Sequence, residues 1–151
     1  MYKKSFVIIV FIALISVLIS SYFKIDFDLS NAANTIYTLS GIMFSIGMGV
    51  ACAFNPAGIN NKSIFKKIKD NILLVRHHFL FYFMIATIAF LPSQLSTHQR
   101  IFNFYEVNIM FDAALFSILY SLMSIIYFVI NFLAIQKLNF DIAERIMKEN
   151  N

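Results

Sequence analysis

Four apolar runs, each close to the roughly 20 residues that carry a helix across a bilayer, constrain this chain more than any other feature. The first runs from Ser5 to Phe23 without a charge, and the second from Thr35 to Phe54. The third, from Phe79 to Leu91, is short and reaches span length, as residues 76–93, by borrowing from its flanks. The fourth, from Ile109 to Leu133, carries one charge, Asp112, near its start. A water-soluble core could not hide this material. Of the 151 residues 60% are hydrophobic and 13% charged, against about 45–50% and about 25% in soluble domains. A disordered chain, a disulfide-rich secreted domain and an ordinary cytosolic enzyme are thereby excluded. Backbone polar groups in hydrocarbon must be satisfied within the segment, which selects helices. The expected fold class is all-α: a single polytopic membrane domain over residues 1–151 with four transmembrane helices, assembled as a homo-oligomer.

Lys and Arg counts orient it. With the N-terminus inside, Lys3, Lys4, Lys62, Lys66, Lys67, Lys69, Arg76, Lys137, Arg145 and Lys148 share one side, and only Lys24 and Arg100 the other. Including Asp70, Asp141, Glu144 and Glu149, the inner side nets +6. Asp26, Asp28, Glu106 and Asp112 bring the outer side to −2, and the two sum to the +4 of the whole chain. The positive-inside rule then places both termini in the cytoplasm. The first run is too long for a signal-peptide core, and Ser30-Asn31-Ala32 lies well past its end, so an uncleaved anchor is expected.

Little points to catalysis. Cys52 stands alone within the second run, and no Cys/His cluster, phosphate-cradling glycine loop or nucleophile elbow occurs. Adjacent His77 and His78 would point about 100° apart on a helix and cannot chelate one metal together; they read as an interfacial pair or a proton sensor. No enzyme, metal or cofactor is expected.

The second run holds Gly41, Gly47 and Gly49, and Gly58 follows it. Gly41, Ser45, Gly49 and Ala53, spaced by four, make a small ridge on a helix. It either packs against a helix of the same subunit or faces a symmetry axis and lines a pore, with Thr38, Ser40 and Ser45 supplying mild polarity. Asn55-Pro56 is expected to end this helix. Asn61 can then cap a helix from Lys62, with Ile64, Ile68, Ile72 and Val75 as its apolar stripe, joined by Phe65 and Leu73. Lys62, Lys66, Lys67, Lys69, Arg76 and His77 make this helix, residues 61–76, a basic amphipathic lead into the third span. Its cations suit either anionic lipid of the inner leaflet or a cytosolic polyanion such as a nucleotide or nucleic acid. Asp112 either snorkels at the interface or pairs with Arg100 or Lys24. Asn131 can bond across helices. Residues 136–151 read as a short cytoplasmic helix.

Four packed helices fill their own centre, and the outer loops are too small for a receptor or catalytic domain. Without repeats or broken midplane helices, a secondary transporter is not expected. Three functions remain: a ligand-gated homo-oligomeric channel, a non-conducting scaffold or sensor that docks a cytosolic protein, and a holin-like pore-forming toxin. The stretch TIYTLSGIMFSIGMGVACAFNPAGINNKSIFKKIK, Thr35 to Lys69, resembles small membrane proteins of bacterial anti-phage defence operons. In plan it is similar to the Hailong channel subunit, and less specifically to the Kiwa membrane subunit. The Hailong likeness implies a homotetrameric, anion-conducting effector of antiviral defence. It further implies a cytosolic nucleotidyltransferase partner whose short DNA products hold the channel shut.

Overall fold

The computed structural model describes residues 2–23, 28–54, 59, 61–95, 100–104 and 107–149. Four helices dominate: α1 (Tyr2–Phe23), α2 (Ser30–Ala53), α3 (Lys62–Leu95) and α4 (Ala113–Glu149). Each is long and apolar enough to cross a membrane. Between α3 and α4 stand two short antiparallel strands, β1 (Arg100–Phe104) and β2 (Val107–Phe111), paired from Arg100↔Phe111 to Phe104↔Val107.

The strands correct the expected fourth span, because Ile109–Phe111 belong to β2 and the helix begins at Ala113. Asp112 explains that boundary. Its Oδ1 accepts the Ala114 and Leu115 backbone N–H groups at 2.8 and 3.2 Å, which makes it the N-cap of α4, nearly buried at 9% exposure. Asn61 starts α3 in the same way, its Oδ1 accepting from Ser63 and Ile64. Asp28 accepts the Ser30 N–H at 2.8 Å just before α2, and the Ser30 hydroxyl and N–H together hold this exposed carboxyl below the usual carboxylate range. At the other end of α2, Phe54 turns out of helical geometry with ψ 118°; Asn55-Pro56 lies outside the described residues.

The last two helices are longer than their expected spans. The basic lead and the third span form one unbroken α3 of 34 residues, and the fourth span and the tail one α4 of 37. At 1.5 Å per residue they reach about 51 and 55 Å, against roughly 30 Å of hydrocarbon. The surplus lies on one side. Ile72 of α3 packs with Ile135 of α4 and with Ala51 near the end of α2, and Ile68 and Leu138 join this cluster.

α4 is the hub, touching α1, α2 and α3. It runs parallel to α2, since Phe44 meets Phe128 and Ala51 meets Ile135. Small residues recur on their buried sides, between large ones such as Phe128 and Ile135. Ala33, Ser40, Gly47 and Ala51 are the buried residues of α2, and Ala114, Ser117, Ser121 and Ser124 are buried on α4. Small residues let helix backbones approach closely, which is what holds helices together where lipid removes the hydrophobic drive between them. The antiparallel α2–α3 pair is held differently. Phe90, Tyr37, Phe83 and Phe44 form a column of parallel rings drawn alternately from α3 and α2, at centroid spacings of 4.2, 6.0 and 4.4 Å. Tyr37 completes it with a 2.9 Å hydroxyl contact to Thr87. Asn131 does not cross to another helix; its Nδ2 donates to the Tyr127 carbonyl of its own helix at 2.8 Å.

Two glycines of α2 play opposite parts. A Cβ at Gly47 would collide with the ring of Phe79, itself fully buried, whereas one at Gly49 would meet nothing within 4 Å. Gly47→Ala is therefore expected to lower subunit stability by about 1–3 kcal/mol. Gly49→Ala should leave it equal or slightly higher, because alanine is the better helix former. Reversible SDS unfolding of the dissociated subunit measures both.

Candidate functional site

Two features converge on α2. One is the exposed side of that helix, and the other is a cleft where its C-terminus meets α3.

On the exposed side, Asn31, Thr35, Thr38, Ile42, Ser45, Gly49 and Cys52 recur at alternating steps of four and three, the spacing of a left-handed coiled-coil seam. All are exposed on the subunit. The predicted ridge overlaps this seam in part. Thr38, Ser45, Gly49 and Ala53 are exposed, but Gly41 is half-buried, its Cβ direction 3.6 Å from the Phe83 ring. Ser40 is fully buried and belongs to the opposite face. Steps of four alone drift around a helix of 3.6 residues per turn, whereas the 4–3 alternation follows one line. Asn31, Thr35, Ile42 and Cys52 were missed for that reason, although the alternation is visible in the letters.

The chemistry of this row sets it apart. The exposed rows of the other helices are bulky and apolar: Val7, Phe11, Leu14 and Leu18 on α1, Leu80, Met84, Ile88 and Leu91 on α3, Leu122, Ile126, Ile130 and Leu133 on α4. On α2 the row is small and polar, interrupted by one large side chain, Ile42, 52% exposed. The Thr35, Thr38 and Ser45 hydroxyls each donate to a carbonyl four residues earlier, at 2.8–2.9 Å. They are satisfied at rest and still offer lone pairs to water.

At the end of α2, the Arg76 guanidinium reaches from α3 to the Ala51 carbonyl, its Nε donating at 3.1 Å and Nη2 at 2.6 Å. The last carbonyls of a helix lack partners within it and carry the negative end of its dipole. Arg76 answers both needs. Beside it opens a cleft of about 250 Å³ lined by Phe54, Phe65, Lys69, Ile72, Leu73 and Arg76. The predicted cations thus divide. Lys69 and Arg76 share this cleft, while the exposed Lys62, Lys66 and Lys67 lie along the preceding turns of α3 and do not line it. The exposed His77 bonds through Nδ1 to the Leu73 carbonyl of its own helix at 2.7 Å. His78 turns inward, its Nδ1 3.0 Å from the Tyr127 hydroxyl. The two histidines are therefore separated.

No protein-family description, curated protein or solved structure matches this chain.

The cap at Ala51 makes a specific demand on side-chain shape. Arg76→Met should cost about 1.5–3 kcal/mol, the range for a hydrogen bond to a charged group. Arg76→Lys should recover less than half of that, because an ammonium is a point charge without the planar fork that sends two N–H groups to one oxygen. Thermal unfolding in a mild detergent gives both values.

Proposed function

We propose that this protein is a homo-oligomeric ion channel of the bacterial inner membrane whose α2 helices line the axis. One observation carries the reading: the Asn31–Cys52 row of α2 is small and polar but for Ile42, with Leu39 and Ile46 exposed beside it, where α1 and the apolar stretches of α3 and α4 expose bulky apolar rows. Polar groups against acyl chains gain nothing, whereas the same row around a shared axis meets copies of itself and water. The free space at Gly49 points the same way, since nothing among the described residues requires a glycine there. Ile42, between Thr38 and Ser45 on the row, then forms a ring of side chains, and hydrophobic constrictions of this kind gate by dewetting.

With both termini in the cytoplasm, the cations of α3 flank the inner mouth and favour anion passage and control by an anionic ligand. Lys62, Lys66 and Lys67 are the contact points for that ligand, a nucleotide or short DNA. The role as effector of antiviral defence, with a nucleotidyltransferase-type partner and a tetrameric ring, rests on the resemblance to the Hailong subunit. A docking subunit is the second reading, favoured by Phe140 and Met147, which are 67% and 62% exposed on the projecting end of α4.

Conductance of the purified protein in a planar bilayer separates the two. A channel gives discrete currents, and short DNA on the side of the α3 N-terminus suppresses them. Ile42→Ser should raise the open fraction by about tenfold, equivalent to about 1.4 kcal/mol on the gating equilibrium. Gly49→Leu should abolish both oligomer and current while the subunit stays folded. Neutralising Lys62, Lys66 and Lys67 together should remove suppression and leave assembly intact. A bilayer silent in every condition rejects the channel in favour of the docking subunit.

A further inference from the structure

We infer that the cleft between α2 and α3 is a binding site for one anionic phospholipid, its phosphate held by Lys69 and Arg76 and an acyl chain laid along α3. This goes beyond conduction, and its readout is bound lipid rather than current.

Depth is the first argument. α2, at 24 residues, is about 36 Å long, little more than the roughly 30 Å of hydrocarbon. Ala51 and Phe54, at its end, therefore lie at the level of the headgroups. A cleft beside them opens where a lipid phosphate already resides.

Charge is the second. The cleft wall carries two cations and no acid: Asp70, next to Lys69 in sequence, is not among the lining residues. Arg76 spends two of its N–H donors on Ala51, and a guanidinium has five. The other three have no acceptor among the described residues, and neither has the Lys69 ammonium. Basic pockets between membrane helices at the cytoplasmic face are recurrent headgroup sites. Each Lys or Arg near anionic lipid adds measurably to binding, and a zwitterionic headgroup forfeits that gain.

Size and continuity are the third. Pockets that enclose a drug-sized ligand run from about 300 Å³ upward, so about 250 Å³ suits a headgroup and the first carbons of a chain better than a whole nucleotide. Phe54, Phe65, Ile72 and Leu73 supply an apolar wall for those carbons. Beyond the exposed His77, one turn after Leu73, an exposed apolar row of α3 runs through Leu80, Met84, Ile88 and Leu91. A chain leaving the cleft would follow that row into the hydrocarbon, a route no soluble phosphate needs.

Native mass spectrometry of the purified full-length protein, with lipids added back to the detergent, tests this. Phosphatidylglycerol should be retained at one molecule per subunit and phosphatidylcholine should not. Lys69→Glu should weaken retention by about tenfold, and Lys62→Glu, the same charge change outside the cleft, by less than about twofold. Lys69→Gln, a milder change at an exposed position, should fall between. Glycerol phosphate, the headgroup chemistry without chains, should not displace the lipid at concentrations where phosphatidylglycerol does. Equal losses in Lys69→Glu and Lys62→Glu would reduce the attraction to the general field of the α3 cations and overturn the site. Equal retention of phosphatidylcholine would leave only an apolar groove. Displacement by glycerol phosphate alone would make the occupant a free phosphate.

Discussion

In a solvent as apolar as a leucine side chain, helices gain nothing by hiding leucine from it. They associate where backbones approach closely and rings stack, and the whole architecture follows from that constraint. The small residues buried on α2 and α4 admit close approach, and the parallel rings of Phe90, Tyr37, Phe83 and Phe44 fasten α2 to α3. With two of its sides committed, α2 has one left over. The bulky rows of α1, α3 and α4 suit lipid; the leftover row of α2 is the one proposed to meet another copy of itself. Assembly and conduction, in the reading advanced above, both descend from which side of one helix remains unclaimed.

Much of this was legible in the letters, and the reasons for the rest are physical. Apolar run length revealed four helices because burial in lipid imposes a minimum length and little else. Asn61 announced the start of α3 because an N-cap is local chemistry. The hairpin was overlooked because the stretch between the third and fourth spans read as a short outer loop, and Ile109–Phe111 were absorbed into the apolar run that follows. Asp112 shows how that ambiguity resolves: an N-cap can mark a helix start inside an apolar run. On α2, Gly47 and Gly49 are indistinguishable as letters, yet one sits against Phe79 and the other against nothing. Arg76 looked like one more cation of a basic helix, and only the folded chain brings it to a carbonyl 25 positions away.

The division among the cations reorganises the functional picture. Five basic residues in sixteen positions suggested a single diffuse surface; the fold separates Lys62, Lys66 and Lys67 from Lys69 and Arg76, which line a largely apolar cleft. The first can meet a ligand arriving from water, and the second is placed for one arriving sideways from the leaflet. Taken together, the two proposals would give the same end of α2 two independent inputs, one reporting on solutes and the other on the composition of the membrane.

The cap on α2 has a consequence for which ions would pass. A helix ends in carbonyls worth about half a negative charge, so a ring of bare α2 termini would surround the inner mouth with a crown attractive to cations. Arg76 places a positive charge 2.6 Å from the Ala51 oxygen, and in the proposed channel the crown would lose its pull on cations whether or not a lipid phosphate shares that guanidinium. In the proposed channel, the residue that closes the hydrogen-bonding of a helix end would thereby also bias the ionic preference at that end of the pore.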